Sequence, residues 1–161
     1  SEKMTHVLTG RFEDDASQLP DAYFDLVICN DVIEHMVDHE GFLDDIKTKM
    51  KSKTCLVGSI PNVRHYRNLF ELLLRKDWRY REEGILDSTH LRFFTEKSLR
   101  RTMLKHDFKI EKLAGINSMG KHAFFRNLVK MTFFFFVSVI TLGFYHDIRF
   151  FQFGFRVRKD S

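Results

Sequence analysis

The stretch FDLVICNDVIEH, from Phe24 to His35, constrains the fold most strongly, because a run of apolar residues ends abruptly in polar chemistry. Residues Leu26 to Cys29 are apolar at both alternating positions, which is typical of a strand covered by helices on both faces of a parallel sheet. An amide, two carboxylates and an imidazole follow within six positions. The segment therefore predicts a central strand with reactive side chains at its carboxyl end.

The residues that follow predict an α/β fold. Asp38 is placed to cap a helix whose apolar residues recur at helical spacing up to Met50. A second buried strand is predicted from Cys55 to Ile60 and is stopped by Pro61. Because a strand-helix-strand order implies a right-handed crossover, the two strands are expected to be parallel.

The other predicted elements complete a mixed sheet. They are a short strand at Thr5 to Leu8, an apolar-faced helix at Arg64 to Arg75, a helix at Thr95 to His106, and strands at Phe108 to Leu113 and Phe150 to Val157. The last two strands are expected to pair antiparallel. A central strand also needs neighbours on both sides, so we expect part of the sheet to lie upstream of this sequence.

Composition limits the class of protein. A chain of 161 residues is long enough for one domain with a hydrophobic core. Its two cysteines, Cys29 and Cys55, lie within apolar runs, which favours buried thiols in a reducing compartment and predicts a cytoplasmic protein. Residues 1–50 carry 12 acidic and 4 basic side chains, whereas residues 51–161 carry 10 and 22. Residues 51–161 are therefore expected to bind an anionic partner. The alternative is that these cations only form the solvent-exposed faces of helices.

The apolar segment MTFFFFVSVITLGFY, from Met131 to Tyr145, is about five residues shorter than the roughly 20 that cross a bilayer. We therefore predict no membrane span. The segment is interpreted as a buried helix, a lid over a site or a subunit interface, with contact to a membrane surface as the next alternative.

Five sequence words together identify a family: VLTGRFED, FDLVICNDVIEHMVD, LVGSIPNVRHY, LDSTHLRFFTEKSLRRTML and FQFGFRVRK. They resemble class I S-adenosylmethionine-dependent methyltransferases, especially the branch of polysaccharide and small-molecule O-methyltransferases. The resemblance implies a Rossmann-like sheet of order 3-2-1-4-5-7-6 with an antiparallel carboxyl-terminal strand pair. It covers residues 1–161 as a single, partial domain, without the first strands and the Gly-rich turn, and with a Phe-rich helical insert at about residues 121–146.

The same resemblance implies S-adenosylmethionine as the cofactor. The residues that it places near the cofactor are Phe12, Glu13, Asn30, Asp31 and Val32.

The DVIEH word admits two kinds of chemistry. Asp31, Glu34 and His35 lie at i, i+3 and i+4, so they can share one face of a turn. With a later histidine, His90, the word is similar to the metal-binding pattern of small-RNA 2′-O-methyltransferases, which implies that these four residues hold Mg²⁺ or Mn²⁺. His35, His90 and Asp31 are also the candidate catalytic residues that take a proton from the acceptor. The alternative is that Glu34 and His35 only cap the local turn and pair with neighbouring side chains.

Arginines alternate with aromatic residues where the family's acceptor pocket usually lies, and arginine pairs well with phosphate or carboxylate. The candidate acceptor residues are Arg64, Tyr66, Arg67, Trp78, Tyr80 and Arg92. The competing interpretation is that these residues belong to an ordinary amphipathic segment that covers the core and has no binding role.

The function expected from the resemblance is O-methylation of a sugar, a polyol or another hydroxylated, anionic small molecule. One alternative is methylation of an RNA 2′-hydroxyl, favoured by the positive second part of the chain. Another is a non-catalytic remnant or partner module of the same fold. A homodimer through the Phe-rich insert or a sheet edge is the expected assembly.

Overall fold

The computed structural model describes residues 7–116 and 124–159, with side chains for 7–116 and 132–159. Its sheet has four strands: β1 (Phe24–Asn30), β2 (Met50–Pro61), β3 (Phe108–Ile116) and β4 (Gln152–Lys159). Their order is β1-β2-β4-β3. Strands β1 and β2 are parallel, and β4 is antiparallel to both β2 and β3. The predicted α/β class, the parallel crossover and the antiparallel final pair are confirmed, and the order equals the 4-5-7-6 part of the sheet implied by the resemblance.

Five α-helices and three short 3₁₀ turns connect the strands in the part of the chain that the structure describes. The helices are α1 (Phe12–Asp15), α2 (His39–Lys49), α3 (Tyr66–Phe70), α4 (Glu96–Lys105) and α5 (Phe124–Ile140). The 3₁₀ turns are Ala16–Gln18, Ile33–His35 and His146–Arg149.

Side-chain caps fix the starts of the two helices that pack on the core. Asp38 accepts a hydrogen bond from the Gly41 amide at the start of α2, as predicted. At the start of α4, Thr95 and Ser98 form a reciprocal capping box. These caps satisfy amide groups that the helices leave without internal partners.

The core lies between the sheet and helices α2 and α4. Leu43 of α2, Leu99 and Met103 of α4, and Leu56 and Val157 of the sheet are fully buried in one apolar cluster. At the carboxyl end of α2, Lys49 forms an ion pair with Asp21 at 2.6 Å.

Strand β1 differs from the prediction on one face. Cys29 is buried, but Ile28 is 61% exposed and Leu26 is also exposed. The prediction that both faces are covered is thus wrong for the described residues, because α2 and α4 share one core and no described helix covers the other face of β1.

The predicted strand at Thr5 to Leu8 is not present in its described part. Thr5 and His6 lie outside the described residues, whereas Val7 and Leu8 are irregular and exposed. In the described sheet β1 pairs only with β2, so these residues have no strand neighbour to hydrogen-bond.

The helix predicted at Arg64 to Arg75 is confirmed with a later start. It is α-helical in α3 and continues as a π-helical turn, Glu71–Arg75, which ends at Lys76 in the left-handed conformation. Much of its expected apolar face is open to solvent, including Leu73 and Leu74.

Helix α5 occupies the predicted Phe-rich insert, whose outer boundaries stay a prediction. Several of its phenylalanines are exposed, so the interpretation as a buried helix is wrong for the described side chains. No described helix is long and apolar enough to cross a membrane.

Gly58 generates a prediction about the central strand. A Cβ at this position would lie 2.2 Å from the Cys29 carbonyl oxygen and 2.6 Å from Cζ of Phe155. We expect Gly58→Ala to lower the free energy of unfolding by about 1–3 kcal/mol, because the neighbouring strand backbone cannot yield without losing its hydrogen bonds. Urea denaturation measures this difference.

Ser52→Ala is the matched control, because Ser52 is an exposed residue of the same strand. We expect it to stay within about 0.5 kcal/mol of the unsubstituted protein. Equal stabilities of the two variants would contradict the close approach of β1 and β2 at Gly58.

Candidate functional site

The carboxyl end of β1 holds Asp31 in a strained but well-supported conformation. Its φ is +50°, in the left-handed region, which aspartate tolerates better than most residues. Its amide donates to the Ser59 carbonyl oxygen at 3.0 Å, and Gln152 Nε2 donates to its Oδ1 at 2.7 Å. The carboxylate is therefore held at the edge of the sheet by the first residue of β4.

A 3₁₀ turn, Ile33–His35, directs Glu34 into the protein. The side chain is 1% exposed, and neither carboxylate oxygen has a hydrogen-bond partner among the described residues. Burial raises the pKa of Glu34 to about 7; its own backbone N–H opposes this rise, and the neighbouring charge of Asp31 adds to it. Such a buried, unpartnered carboxyl is costly, which marks it as a functional candidate.

The segment from Ile85 to Phe93 is fastened to this turn through the backbone. The Glu34 carbonyl oxygen accepts hydrogen bonds from the amides of Leu91 at 2.8 Å and Arg92 at 3.1 Å. His90 is consequently buried beside His35, with their ring centroids 4.7 Å apart.

Backbone carbonyls orient both imidazoles. His90 Nδ1 lies 3.0 Å from the Ile85 carbonyl oxygen, and His35 Nδ1 lies 3.2 Å from the Thr89 carbonyl oxygen. Because a carbonyl only accepts, each of these contacts is a hydrogen bond when Nδ1 carries the hydrogen, and in that neutral tautomer Nε2 keeps its lone pair. Each Nε2 can therefore accept a proton or bind a cation.

Glu34, His35 and His90 form a compact group, in which one potential ligand atom from each residue lies within 4.8 Å of the other two. We call this group the Glu-His-His cluster. One carboxylate and two imidazoles suit a borderline divalent ion, and the two unpartnered Glu34 oxygens fit such an ion. Asp31, the fourth predicted ligand, is not a member of this group; its Oδ1 accepts a hydrogen bond from Gln152, and its side chain interacts with Glu34.

Two of the residues predicted near the cofactor, Asn30 and Val32, lie at or just after the carboxyl end of β1. Asn30 is exposed at the end of β1, and Val32 is half-buried against the core. Phe12 packs edge-on against Phe42 at 4.9 Å, and Glu13 is in an ion pair with Arg11 at 3.7 Å. The structure thus gives Phe12 and Glu13 local partners, and their cofactor role stays a prediction.

Two predicted acceptor residues, Trp78 and Tyr80, lie beside the cluster. Their rings lie 5.2 Å and 6.3 Å from the ring of Phe93, which in turn lies 6.5 Å from His90. Arg92 also lies close by, where its guanidinium donates to the Val37 carbonyl oxygen at 2.8 Å. These residues form an aromatic wall with one cation next to the candidate ligands.

The other three acceptor candidates belong to a different neighbourhood. Arg64 makes a two-pronged ion pair with Asp147, at 2.7 and 3.1 Å. Tyr66 packs against Phe134 at 5.3 Å, and the Arg67 guanidinium lies over the Tyr66 ring. The structure therefore joins them to the α5 region, and it does not bring them to the Glu-His-His cluster.

Sequence reasoning missed Thr89, Phe93 and Gln152. Thr89 donates to Asp87 Oδ1 through both its amide, at 2.7 Å, and its hydroxyl, at 2.6 Å, which shapes the turn before His90. The DST word is a recognisable turn signal and could have indicated this. No local sequence pattern indicated Gln152, because its partner Asp31 is 121 residues away in the sequence.

The sequence and the fold were compared with those of known proteins. A family model described as "Methyltransferase domain" matches residues 3–113. No curated protein gives a significant match to the sequence. Solved structures with a similar fold include a SAM-dependent methyltransferase from Archaeoglobus fulgidus, 16% identical, with a TM-score of 0.58.

Two other similar structures have low identity as well. One is a putative S-adenosylmethionine-dependent methyltransferase from Listeria monocytogenes, 12% identical, with a TM-score of 0.56. The other is 1,6-didemethyltoxoflavin-N1-methyltransferase from Burkholderia thailandensis, 13% identical, with a TM-score of 0.51.

These alignments cover most of this chain but only part of each relative. They include 94%, 89% and 91% of this chain, and 66%, 64% and 48% of the Archaeoglobus, Listeria and Burkholderia chains. The family model covers more than half of the sequence, and the observed strand order agrees with the implied sheet. The chain therefore belongs to the methyltransferase-domain family and has the fold of the class I S-adenosylmethionine-dependent methyltransferases.

Proposed function

We propose that the full-length protein transfers a methyl group from S-adenosylmethionine to a hydroxyl group of a small molecule such as a sugar or polyol of polysaccharide biosynthesis. The observation that carries this proposal is the Glu-His-His cluster at the carboxyl end of β1, where open parallel sheets bind their ligands. The family match supports methyl transfer, and the cluster supports an acceptor that must lose a proton.

The cofactor proposal has support from one structural relative. The structure of the Burkholderia protein contains bound 1,6-didemethyltoxoflavin and S-adenosylhomocysteine. In this chain Asp31 follows β1 directly, and its exposed carboxylate is held by Gln152. A carboxylate at this edge suits hydrogen bonding to the cofactor's polar groups.

Methyl transfer needs an in-line arrangement and a deprotonated oxygen. The acceptor oxygen forms a bond to the methyl carbon while the carbon–sulfur bond breaks, and the bonding electrons return to sulfur. The acceptor proton must leave at the same time or before. The Nε2 atoms of His35 and His90 are proposed to receive it, since each Nδ1 is already hydrogen-bonded to a carbonyl.

A divalent cation in the same cluster is the alternative use of these side chains, because an Nε2 lone pair that binds a cation cannot also take the acceptor proton. Glu34, His35 and His90 would hold it, and the two imidazoles favour Mn²⁺ over Mg²⁺. When bound, such an ion lowers the pKa of an attached hydroxyl. The aromatic wall of Trp78, Tyr80 and Phe93 would then pack against the acceptor.

Cofactor binding is tested by calorimetry of the full-length protein with S-adenosylhomocysteine. We expect Asp31→Asn to weaken binding about 10- to 100-fold, because a charged hydrogen-bonding group is lost while the left-handed backbone is tolerated. Asp25→Asn, at the other end of β1 in an ion pair with Lys51, is the matched control and is expected to bind normally. Absence of binding by the unsubstituted full-length protein would refute the proposed cofactor.

Cation binding is tested with Mn²⁺ and electron paramagnetic resonance, which detects the free ion. We expect binding at one site per chain, weakened at least about tenfold in His35→Gln and in His90→Gln because each removes a ligand. His146→Gln removes an exposed histidine outside the cluster and is the control. If Mn²⁺ binds equally to all three variants, or to none of the proteins, the cluster does not hold a metal; methyl-transfer activity that survives in chelator would leave the proton-acceptor role.

The raised pKa of Glu34 predicts the pH dependence of stability in a chelator. Between the ordinary value of 4.5 and about 7, the folded protein keeps a proton that the unfolded chain has released. The contribution of Glu34 to the free energy of unfolding should therefore be largest below pH 4.5. It should fall with rising pH by on the order of 3 kcal/mol until about pH 7. Urea titrations across this range measure it.

The comparison variant is Glu34→Gln, which keeps the shape but cannot titrate. The difference in unfolding free energy between this variant and the unsubstituted protein should change over the stated range. A difference that is independent of pH would contradict a buried, neutral Glu34.

A further inference from the structure

A second surface, outside the Glu-His-His cluster, is exposed and strongly apolar. Between residues 131 and 145 the sequence has no charged side chain. We call its exposed residues the apolar tip, and they are Phe133, Phe135, Phe136, Val139, Ile140, Leu142 and Phe144. An exposed apolar surface of this kind marks an interaction site.

The end of the apolar tip is a turn that extends into solvent. After α5, Leu142 and Gly143 adopt the left-handed conformation, with φ of +51° and +81°. Leu142 is 91% exposed and Phe144 is 80% exposed. A bulky residue in the left-handed conformation is unfavourable in isolation, so this turn displays its apolar side chains at a conformational cost.

The apolar tip is nevertheless fastened to the rest of the protein. Phe134 packs on Tyr66 of α3 at 5.3 Å. Beyond the turn, Arg64 pairs with Asp147 at 2.7 Å and lies over the Tyr145 ring at 5.3 Å. The exposed residues therefore belong to a defined part of the fold.

The α3 segment adds apolar and cationic residues beside this anchor. Phe70, Leu72, Leu73 and Leu74 are exposed in it. The exposed cations of this region are Arg67, Arg75, Lys76 and Arg149. Within the described part of the chain, no carboxylate forms an ion pair with any of these four cations.

Exposed apolar side chains, together with exposed cations that have no carboxylate partner among the described residues, fit an anionic lipid surface. The four cations give this surface a positive charge, which opposes the approach of a second, equally positive copy and favours an anionic partner. No described helix could cross a bilayer, so contact would be with its surface. We propose that the apolar tip and the α3 cations dock this protein on an anionic phospholipid bilayer, with the apolar side chains in the region between headgroups and acyl chains.

The test is sedimentation of the full-length protein with vesicles of phosphatidylcholine alone or of an equal mixture with phosphatidylglycerol. We expect binding to the mixed vesicles that weakens as salt increases. The double variant Leu142→Glu/Phe144→Glu should lower the partition coefficient at least about tenfold, because it places charges where acyl chains are expected. Both positions are exposed, so its thermal unfolding should match that of the unsubstituted protein.

Leu104→Glu is the matched control, because Leu104 is an exposed leucine of α4. It should bind vesicles normally. Arg67→Gln/Arg75→Gln should weaken binding to mixed vesicles only. No binding to mixed vesicles, or equal binding by the tip variant and the control, would overturn the proposal. A dimer that the tip variant dissociates, without any vesicle binding, would overturn it in favour of self-association.

Discussion

The candidate site depends on one backbone interaction, the acceptance of two amide hydrogen bonds by the Glu34 carbonyl oxygen. The amides of Leu91 and Arg92 are its donors, at 2.8 and 3.1 Å. A single carbonyl thereby fixes two segments separated by more than fifty residues, and it does so at the residue whose side chain is most deeply buried in the site. This contact brings His90 to His35, although residues 85–93 form neither a helix nor a strand.

The sheet supports this arrangement through β2, which lies between β1 and β4. Directly after β2, Asn62 is fully buried and donates to the carbonyl oxygens of Asp147 and Phe150 at 2.9 and 3.0 Å. Its own Oδ1 accepts from the Arg64 amide at 3.0 Å. One amide side chain thus joins the end of β2 to the approach to β4, and it connects the sheet to the region that carries the apolar tip.

Local patterns predicted much of the fold, since periodicity, caps and breakers act over a few residues. The Asp38 cap, the Thr95 cap and the strands around Leu26 and Leu56 are of this kind. The association of Glu34 and His35 with His90 came from a family resemblance. The aromatic wall around Phe93 and the contact of Gln152 with Asp31 depend on tertiary approach, which no local pattern encodes. The sequence predicted that α5 is buried, whereas several of its phenylalanines are exposed. Hydrophobicity alone does not show whether another element packs on a helix.

The hydrogen bond between Gln152 and Asp31 has a mechanical consequence. Gln152 begins β4 and is in register with Pro61 of β2 and Ile116 of β3, while Asp31 follows β1 directly. The direction of the Asp31 carboxylate is therefore coupled to the alignment of all four strands. A sliding of β4 by one residue would withdraw the amide and release the carboxylate, so this bond makes the geometry at one end of the chain sensitive to correct assembly at the other.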